Sequence, residues 1–283
     1  AENPWQIFEP EVLAVQKEIL VPDEELPPIE RKLKVIDKPW TKQPPAGTKA
    51  NPKWIARGLN WLWHGNNPHH EVVNGTPHDS GNTVDADLAI ASEGQVIRGT
   101  GQSRDTMVLS FPSPSGQAGK GQVTVTVGTY FKLRNLNDAS QSYLWSSRQV
   151  SPSTEGWFIR KREDPSQGGS GDLEFFFTAT GGSAGVGSWT LYNDITNFNT
   201  FTGTFDGNEC WGYLNGVRGN EFYAGTAGDS IGDHAAAVVI GGEAAPLISY
   251  ESATDMVLGY VFHTTLTQGE IKFLSENPWD LFE

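Results

Sequence analysis

The chain has 283 residues, 37% of them hydrophobic and 11% aromatic, which is enough apolar material for a substantial core. Its formal charge of −14 argues against holding a nucleic acid or an anionic membrane, since both are gripped mainly by clustered lysine and arginine. The single cysteine, Cys210, excludes an internal disulfide and a cysteine-rich zinc site, and suits assembly in a reducing cytoplasm.

Thirty-two glycines, ten tryptophans and only 19% charged residues give the profile of an all-β protein with many turns and few long helices. Nothing near the start pairs a charged segment with an apolar one, and no apolar run approaches the roughly 20 residues needed to span a bilayer. The expectation is a soluble chain without a cleaved signal.

Residues 1–53 form the first segment. Nine of the 17 prolines fall at or before Pro52, among charges and without sustained periodicity. Proline fixes φ and removes a donor, so this stretch predicts an extended arm rather than a central strand or a long helix. Composition alone fits a disordered linker equally well. The interleaved Trp5, Ile7, Phe8 and Trp40 favour docking, because a free tail would expose them all. They are the candidate anchoring and assembly residues.

From Trp54 the texture changes to short strands broken by Gly, Asn, Asp and Ser. "VTVTV" sets Val123, Val125 and Val127 against Thr124 and Thr126, the period of a half-buried strand. "DLEFFF" sets Leu173, Phe175 and Phe177 against Asp172, Glu174 and Phe176, with the acidic side chains expected to face solvent. "GGSAGVG", Gly181 to Gly187, predicts a flexible turn. "ECWGYLNGVRG" predicts a hairpin turning at Asn215-Gly216, a pair that tolerates the positive φ angles of a type I′ turn. "ATDMVLGYVFHT" predicts a further apolar strand.

One helix is clear, in "LTQGEIKFLSENPW". Thr267 and Glu270 have the spacing of a capping box, Leu266 can staple to Ile271, and Pro278 ends the element. Trp279, Leu281 and Phe282 are then expected to pack back onto the body. Their phrase, "NPWDLFE", nearly repeats the opening "NPWQIFEP".

The ordered series "TGTFDGNECWGYLNGVRG", "VVIGGEAAPL" and "DMVLGYVFHTTLTQGEIKFLSENPWDLFE" resembles the laminin-G-like branch of the concanavalin A-like jelly rolls, with Asp206-Gly207, Asn215-Gly216 and Ile240-Gly241-Gly242 at that family's turns. The ending "LSENPWDLFE" and the entry "IARGLNWLWHGNNPHHEVVNGT" are similar to laminin-G-like proteins of tailed bacteriophages and prophages. The resemblance covers residues 54–283 and implies an all-β jelly-roll sandwich there, with the arm ahead of it and a short C-terminal helix. It further implies a virion protein assembled in the host cytoplasm, with the major capsid protein or tail proteins as partners, homo-oligomerisation, and a cell-surface glycan as a further ligand. Calcium held by loop oxygens occurs in such relatives, and Asp194, Asn197 and Asp206 are chemically suitable donors.

Several chemistries can be weighed on residues alone. Retaining glucanases on this fold place two separated carboxylates on one strand face, and Ser170 stands where "SGDLEF" would need the first glutamate. His64, His69, His70 and His78 invite a zinc site, yet "NNPHH" has the composition of a polar loop. Nucleotide, metalloprotease and serine-hydrolase motifs are absent from the sequence. For sugar binding, Trp145, Trp157, Trp189, Trp211 and Tyr213 could supply platforms, and Trp189, Tyr192 and Asn193 in "SWTLYNDITNFNTF" are the first candidates. The expectation is a non-enzymatic virion structural protein, a capsid decoration protein held by its arm, with a carbohydrate-binding tail-associated module as the alternative.

Overall fold

The computed structural model describes residues 43–77, 87–98, 109–134, 141–149, 155–163, 171–180, 184–223, 228–234, 236–242 and 254–283. All lie in the compact unit Pro39–Glu283. The anchoring candidates Trp5, Ile7, Phe8 and Trp40, together with His78 and Ser170, fall outside the described residues.

A one-turn helix α1 (Pro52–Ala56) leads into β1 (Leu59–His64), β2 (Asp87–Ala91), β3 (Gly94–Arg98), β4 (Leu109–Phe111), β5 (Val125–Leu133), β6 (Gln141–Gln149), β7 (Glu155–Glu163) and β8 (Gly171–Thr178). Then follow β9 (Ala184–Tyr192), β10 (Asn199–Phe205), β11 (Cys210–Leu214), β12 (Val217–Tyr223), β13 (Val238–Ile240), β14 (Thr254–Phe262), α2 (Gln268–Glu276) and a 3-10 turn at Pro278–Leu281. Every pairing is antiparallel, in the order β2-β3-β14-β5-β10-β11-β12-β9-β8-β7-β6-β13-β4, with β1 beside β14. The all-β expectation is borne out.

This single sheet curls so that its two halves face each other. Phe177 of β8 meets Phe205 of β10 with ring centroids 4.2 Å apart, and Trp61 of β1 meets Trp145 of β6 at 5.3 Å. Gly203 leaves the room into which Phe175 packs, since a Cβ there would lie 2.0 Å from the Phe175 ring. The bend falls at β12, which pairs with β11 on one side and β9 on the other. Gly187 and Gly212 approach backbone to backbone there, and a Cβ on either would lie under 3 Å from the other strand.

A second core lies on the outer face of β1, β14, β5 and β10. All nine residues of β14 are buried, because the sandwich interior covers one face and α1, α2 and the 3-10 turn cover the other. Thr126 of β5 and the threonines of β10 face this second core, which corrects the expectation of a half-exposed strand at "VTVTV". Thr126 is fully buried and its hydroxyl donates to the Thr264 carbonyl at 2.9 Å, while Thr202 shares a hydrogen bond with the Tyr260 hydroxyl at 2.8 Å. Val123 stands before the strand and is exposed.

The terminal helix follows its sequence signals. The Thr267–Glu270 capping box is complete, and Leu266 and Ile271 are both buried. Glu270 also takes a bidentate pair from Arg57, at 2.7 and 3.1 Å. The Arg57 pair leads the forces that pull the Glu270 carboxyl down to about 2. Trp279, Leu281 and Phe282 turn back and are buried against the second core as expected. Helix α1 was not anticipated. Its signal was Asn51-Pro52, where the Asn51 side chain caps Lys53 N–H and proline takes the first helical position. The packed unit therefore reaches back before Trp54, and Ala50 bridges Phe282.

Lys120 shows how the rim loops are tied. It is fully buried, and its ammonium donates to the carbonyls of Ser113 and of Ala236, the latter at 3.1 Å. Burial lowers it to about 8 against the opposing pull of Asp233.

Candidate functional site

Hairpin chemistry builds an exposed cluster of aromatic, acidic and basic side chains. Asp206 Oδ1 accepts from the N–H groups of Asn208 and Glu209 at 2.9 and 2.7 Å, and Gly207 supplies a φ of +91°, so the chain turns tightly into β11. Alternation along β11 then points Cys210 and Leu214 to the sandwich interior and Trp211 and Tyr213 outward. The two-residue turn at Asn215 (φ +48°) and Gly216 (φ +77°) returns β12, setting Arg218 opposite Tyr213 and Glu221 opposite Trp211.

The indole N–H of Trp211 donates to Glu209 Oε2 at 2.9 Å, and the Arg218 guanidinium lies over its ring, 3.1 Å from the centroid. Arg218 reaches the same Glu209 oxygen at 3.8 Å. Partial burial and then the neighbouring Glu209 raise the Glu221 carboxyl, against the opposing pull of Arg218. Asp206, Glu209 and Glu221 outnumber Arg218. An aromatic face bordered by acceptors and one movable donor is the chemistry that holds a polyhydroxylated ring.

The other tryptophans are committed elsewhere. Of the eight described, Trp54, Trp61, Trp63, Trp145, Trp157 and Trp279 are buried, leaving Trp189 and Trp211 partly exposed. Trp189 packs against the interior core, and Tyr192 is 2% exposed with its ring 6.0 Å from Phe131. Trp189 and Tyr192 thus serve the core, and Asn193 alone of those three first candidates is exposed. Tyr213 is 7% exposed, whereas Trp211 keeps a partly exposed ring beside polar groups.

The three oxygen donors considered for calcium do not converge. Asp194 lies before β10 and Asp206 after it, so the length of a seven-residue strand separates them, about 20 Å. Both Asp194 oxygens already accept, from Thr196, Asn197 and Asn199. Partial burial pushes this carboxyl up, but those donors outweigh it and hold it well below the usual carboxylate range. Among the described residues no group of three or more His, Cys, Asp or Glu side chains could hold a metal ion.

The glucanase strand is also changed by the structure. Glu174 is 5% exposed rather than solvated, and Arg160 Nε donates to it at 2.7 Å. Phe158 and Phe176 stack beside this pair at 4.8 Å, with the Arg160 guanidinium over Phe158. A carboxylate so engaged is a structural group. Residues Ala184 to Gly187, expected in a turn, open strand β9. Of the four histidines, His64 is buried and His69 and His70 are exposed.

No protein-family model matches the chain, and no curated protein sequence does. Solved structures do match. The binding domain of Paraclostridial Mosquitocidal Protein 1 superposes with a TM-score of 0.57 at 11% identity, over 78% of this chain and 52% of that one. This chain shares its β-sandwich fold. A botulinum neurotoxin type C structure, whose report concerns cell entry through two ganglioside molecules, gives 0.57 at 12% identity over 80% of this chain and 52% of that one. Domain 4 of a GH43 extracellular arabinanase from Geobacillus stearothermophilus, solved with arabinotriose, gives 0.51 at 17% identity over 77% of this chain and 98% of that domain. The chain spans about half the length of the toxin structures it matches.

Proposed function

We propose that this chain is a non-catalytic, lectin-like binding module whose glycan contact is the Trp211 face. The observation that carries the reading is the partly exposed Trp211 ring, held beside Glu209 and covered on one face by Arg218, on an acidic hairpin. The local excess of Asp206, Glu209 and Glu221 favours neutral sugars over sialylated or sulfated ones. Two of the similar structures concern sugar ligands, arabinotriose in one and gangliosides in the other, and this supports a saccharide as the ligand class. A glycan array on the intact chain tests the proposal. Neutral oligosaccharide hits that vanish in Trp211→Ala uphold it, and an array without hits, or hits untouched by that change, removes it.

The phrases "LSENPWDLFE" and "IARGLNWLWHGNNPHHEVVNGT" support placing the module on a tailed-phage virion, assembled in the host cytoplasm. In this reading residues 1–42, ahead of the stretch that packs against Phe282, are an anchoring arm that holds a homo-oligomer to the major capsid protein or to tail proteins through Trp5, Ile7, Phe8 and Trp40. The combined substitution Trp5→Ala, Phe8→Ala and Trp40→Ala should abolish particle decoration without lowering the melting temperature. Normal decoration by that variant would sink the anchoring role.

A further inference from the structure

The closing phrase occupies a defined cleft on the second core, and each of its residues has a task there. Asn277 Nδ2 donates to the Phe273 carbonyl at 3.1 Å, and Pro278 opens the 3-10 turn. Trp279 meets Tyr130 edge-on at 5.8 Å, Leu281 is fully buried, and Phe282 meets His64 at 4.9 Å. Asp280 accepts from the Trp54 indole at 2.8 Å. The backbone is held from the other side, by Asn51 N–H to the Leu281 carbonyl at 2.8 Å and by Glu283 N–H to the Lys49 carbonyl at 3.1 Å.

The opening phrase carries closely similar residue types in the same order. Asn3-Pro4-Trp5-Gln6-Ile7-Phe8-Glu9 matches Asn277 to Glu283 at five of seven positions. Of the two differences, Ile7 replaces Leu281 with a side chain of equal carbon count. Gln6 replaces Asp280 and keeps an oxygen that can accept from Trp54, losing only the long Lys53 ion pair at 3.4 Å. The backbone contacts depend on neither substitution.

We propose that the cleft lined by Lys49, Asn51, Trp54, His64 and Tyr130 is a docking site for residues 3–9 of a second copy of this chain, which enter it when the resident closing phrase leaves. This deepens the anchoring role proposed for the arm and rests on it. The resident phrase is tethered, so it holds the cleft in dilute solution, and exchange belongs to copies held close together. The single residue Asn277 connects the phrase to α2, so a change at that one joint re-aims the phrase while the helix stays in place.

The test uses the full chain carrying Trp279→Ala and Phe282→Ala, which vacates the cleft. Sedimentation should find concentration-dependent association that weakens at least tenfold when Trp5→Ala and Phe8→Ala are added. A synthetic peptide of residues 1–12 should dissociate the complexes and raise the melting temperature of the vacated chain. Association indifferent to Trp5 and Phe8, or a peptide without effect, overturns the proposal. Should the vacated chain fail to fold, a photoreactive phenylalanine analogue at position 8 of the otherwise unaltered chain, mixed at high concentration with isotope-labelled copies, replaces it. Cross-copy links to residues 49–64 or to the 130 region uphold the site, and links elsewhere or none overturn it. Neither readout needs a virion or a glycan, so a failure here is separable from a failure of decoration or of sugar binding.

Discussion

Phe282 closes over His64 edge to face, with ring centroids 4.9 Å apart and planes at 72°. The imidazole is fully buried, and burial lowers it to about 4. His234, also buried, is lowered to about 4, and His263 is shifted the same way. All three are therefore neutral in the fold at pH 7, while an unfolded histidine takes a proton near pH 6.5.

The sign follows directly. Above pH 6.5 neither state carries the charge and stability is complete. Between about 6.5 and 4 the unfolded chain binds protons that the fold excludes, so stability falls as pH drops, by roughly 3 kcal/mol for each of His64 and His234 at most. Melting temperatures across pH 7 to 4 should decline steadily. His64→Leu should flatten that slope, and an unchanged slope would contradict the assignment.

Lys120→Met keeps the stem and removes the charge that joins Ser113 to Ala236. One buried and one part-buried carbonyl lose their donor, and the expected loss is about 2 kcal/mol in urea unfolding. A neutral result would mean that water replaces the ammonium at no cost.

Gly203→Ala should be among the most damaging single-methyl additions. Its Cβ would sit 2.0 Å from the Phe175 ring, which is enclosed by Phe177 on the same strand. Overpacking of this kind costs about 3 kcal/mol, measurable as a lower urea midpoint with an unchanged slope.

Thr267→Ala removes one arm of the capping box and should cost about 1 kcal/mol. Glu270→Ala should cost more, since it also removes the bidentate pair with Arg57. A double-mutant cycle between Thr267 and Glu270 should give a clear coupling energy, and additivity would show that the box contributes little.

At the glycan face, Trp211→Ala should lower affinity for neutral saccharides at least tenfold, because stacking on an indole supplies much of such binding. Arg218→Ala should not mimic it, since it uncovers the ring. Equal losses from both substitutions, measured by calorimetry, would show that the guanidinium rather than the indole carries the contact.

The parts of this fold legible in the sequence are those set by local chemistry. Asn215-Gly216 demands positive φ, Thr267 and Glu270 satisfy each other across one turn, and Pro278 forbids a further helical residue. The parts that were not legible depend on what covers a face. Thr126 and Glu174 sit at the polar positions of alternating strands, and alternation reads the same whether the polar face meets water or a second layer. Tyr192 and Trp189 gave the same difficulty in reverse, because an aromatic ring suits the inside of a sandwich as well as a sugar platform. The pairing of Tyr213 with Arg218 could have been reached by counting outward from Asn215-Gly216, but the register shift beyond Tyr213, which sets Glu221 opposite Trp211, leaves no mark in the sequence.

Ala50 and Phe282 form an antiparallel bridge, and Glu283 reaches back to Lys49. The strand-like path into the domain and the path out of it thus lie side by side and run in opposite directions. Tension applied between the two flanks would load these contacts one after another, as a zipper is opened, instead of shearing a whole strand at once. Mechanical weakness would then be confined to the cleft that holds Trp279, and the curled sheet beyond it would be shielded until that cleft had opened.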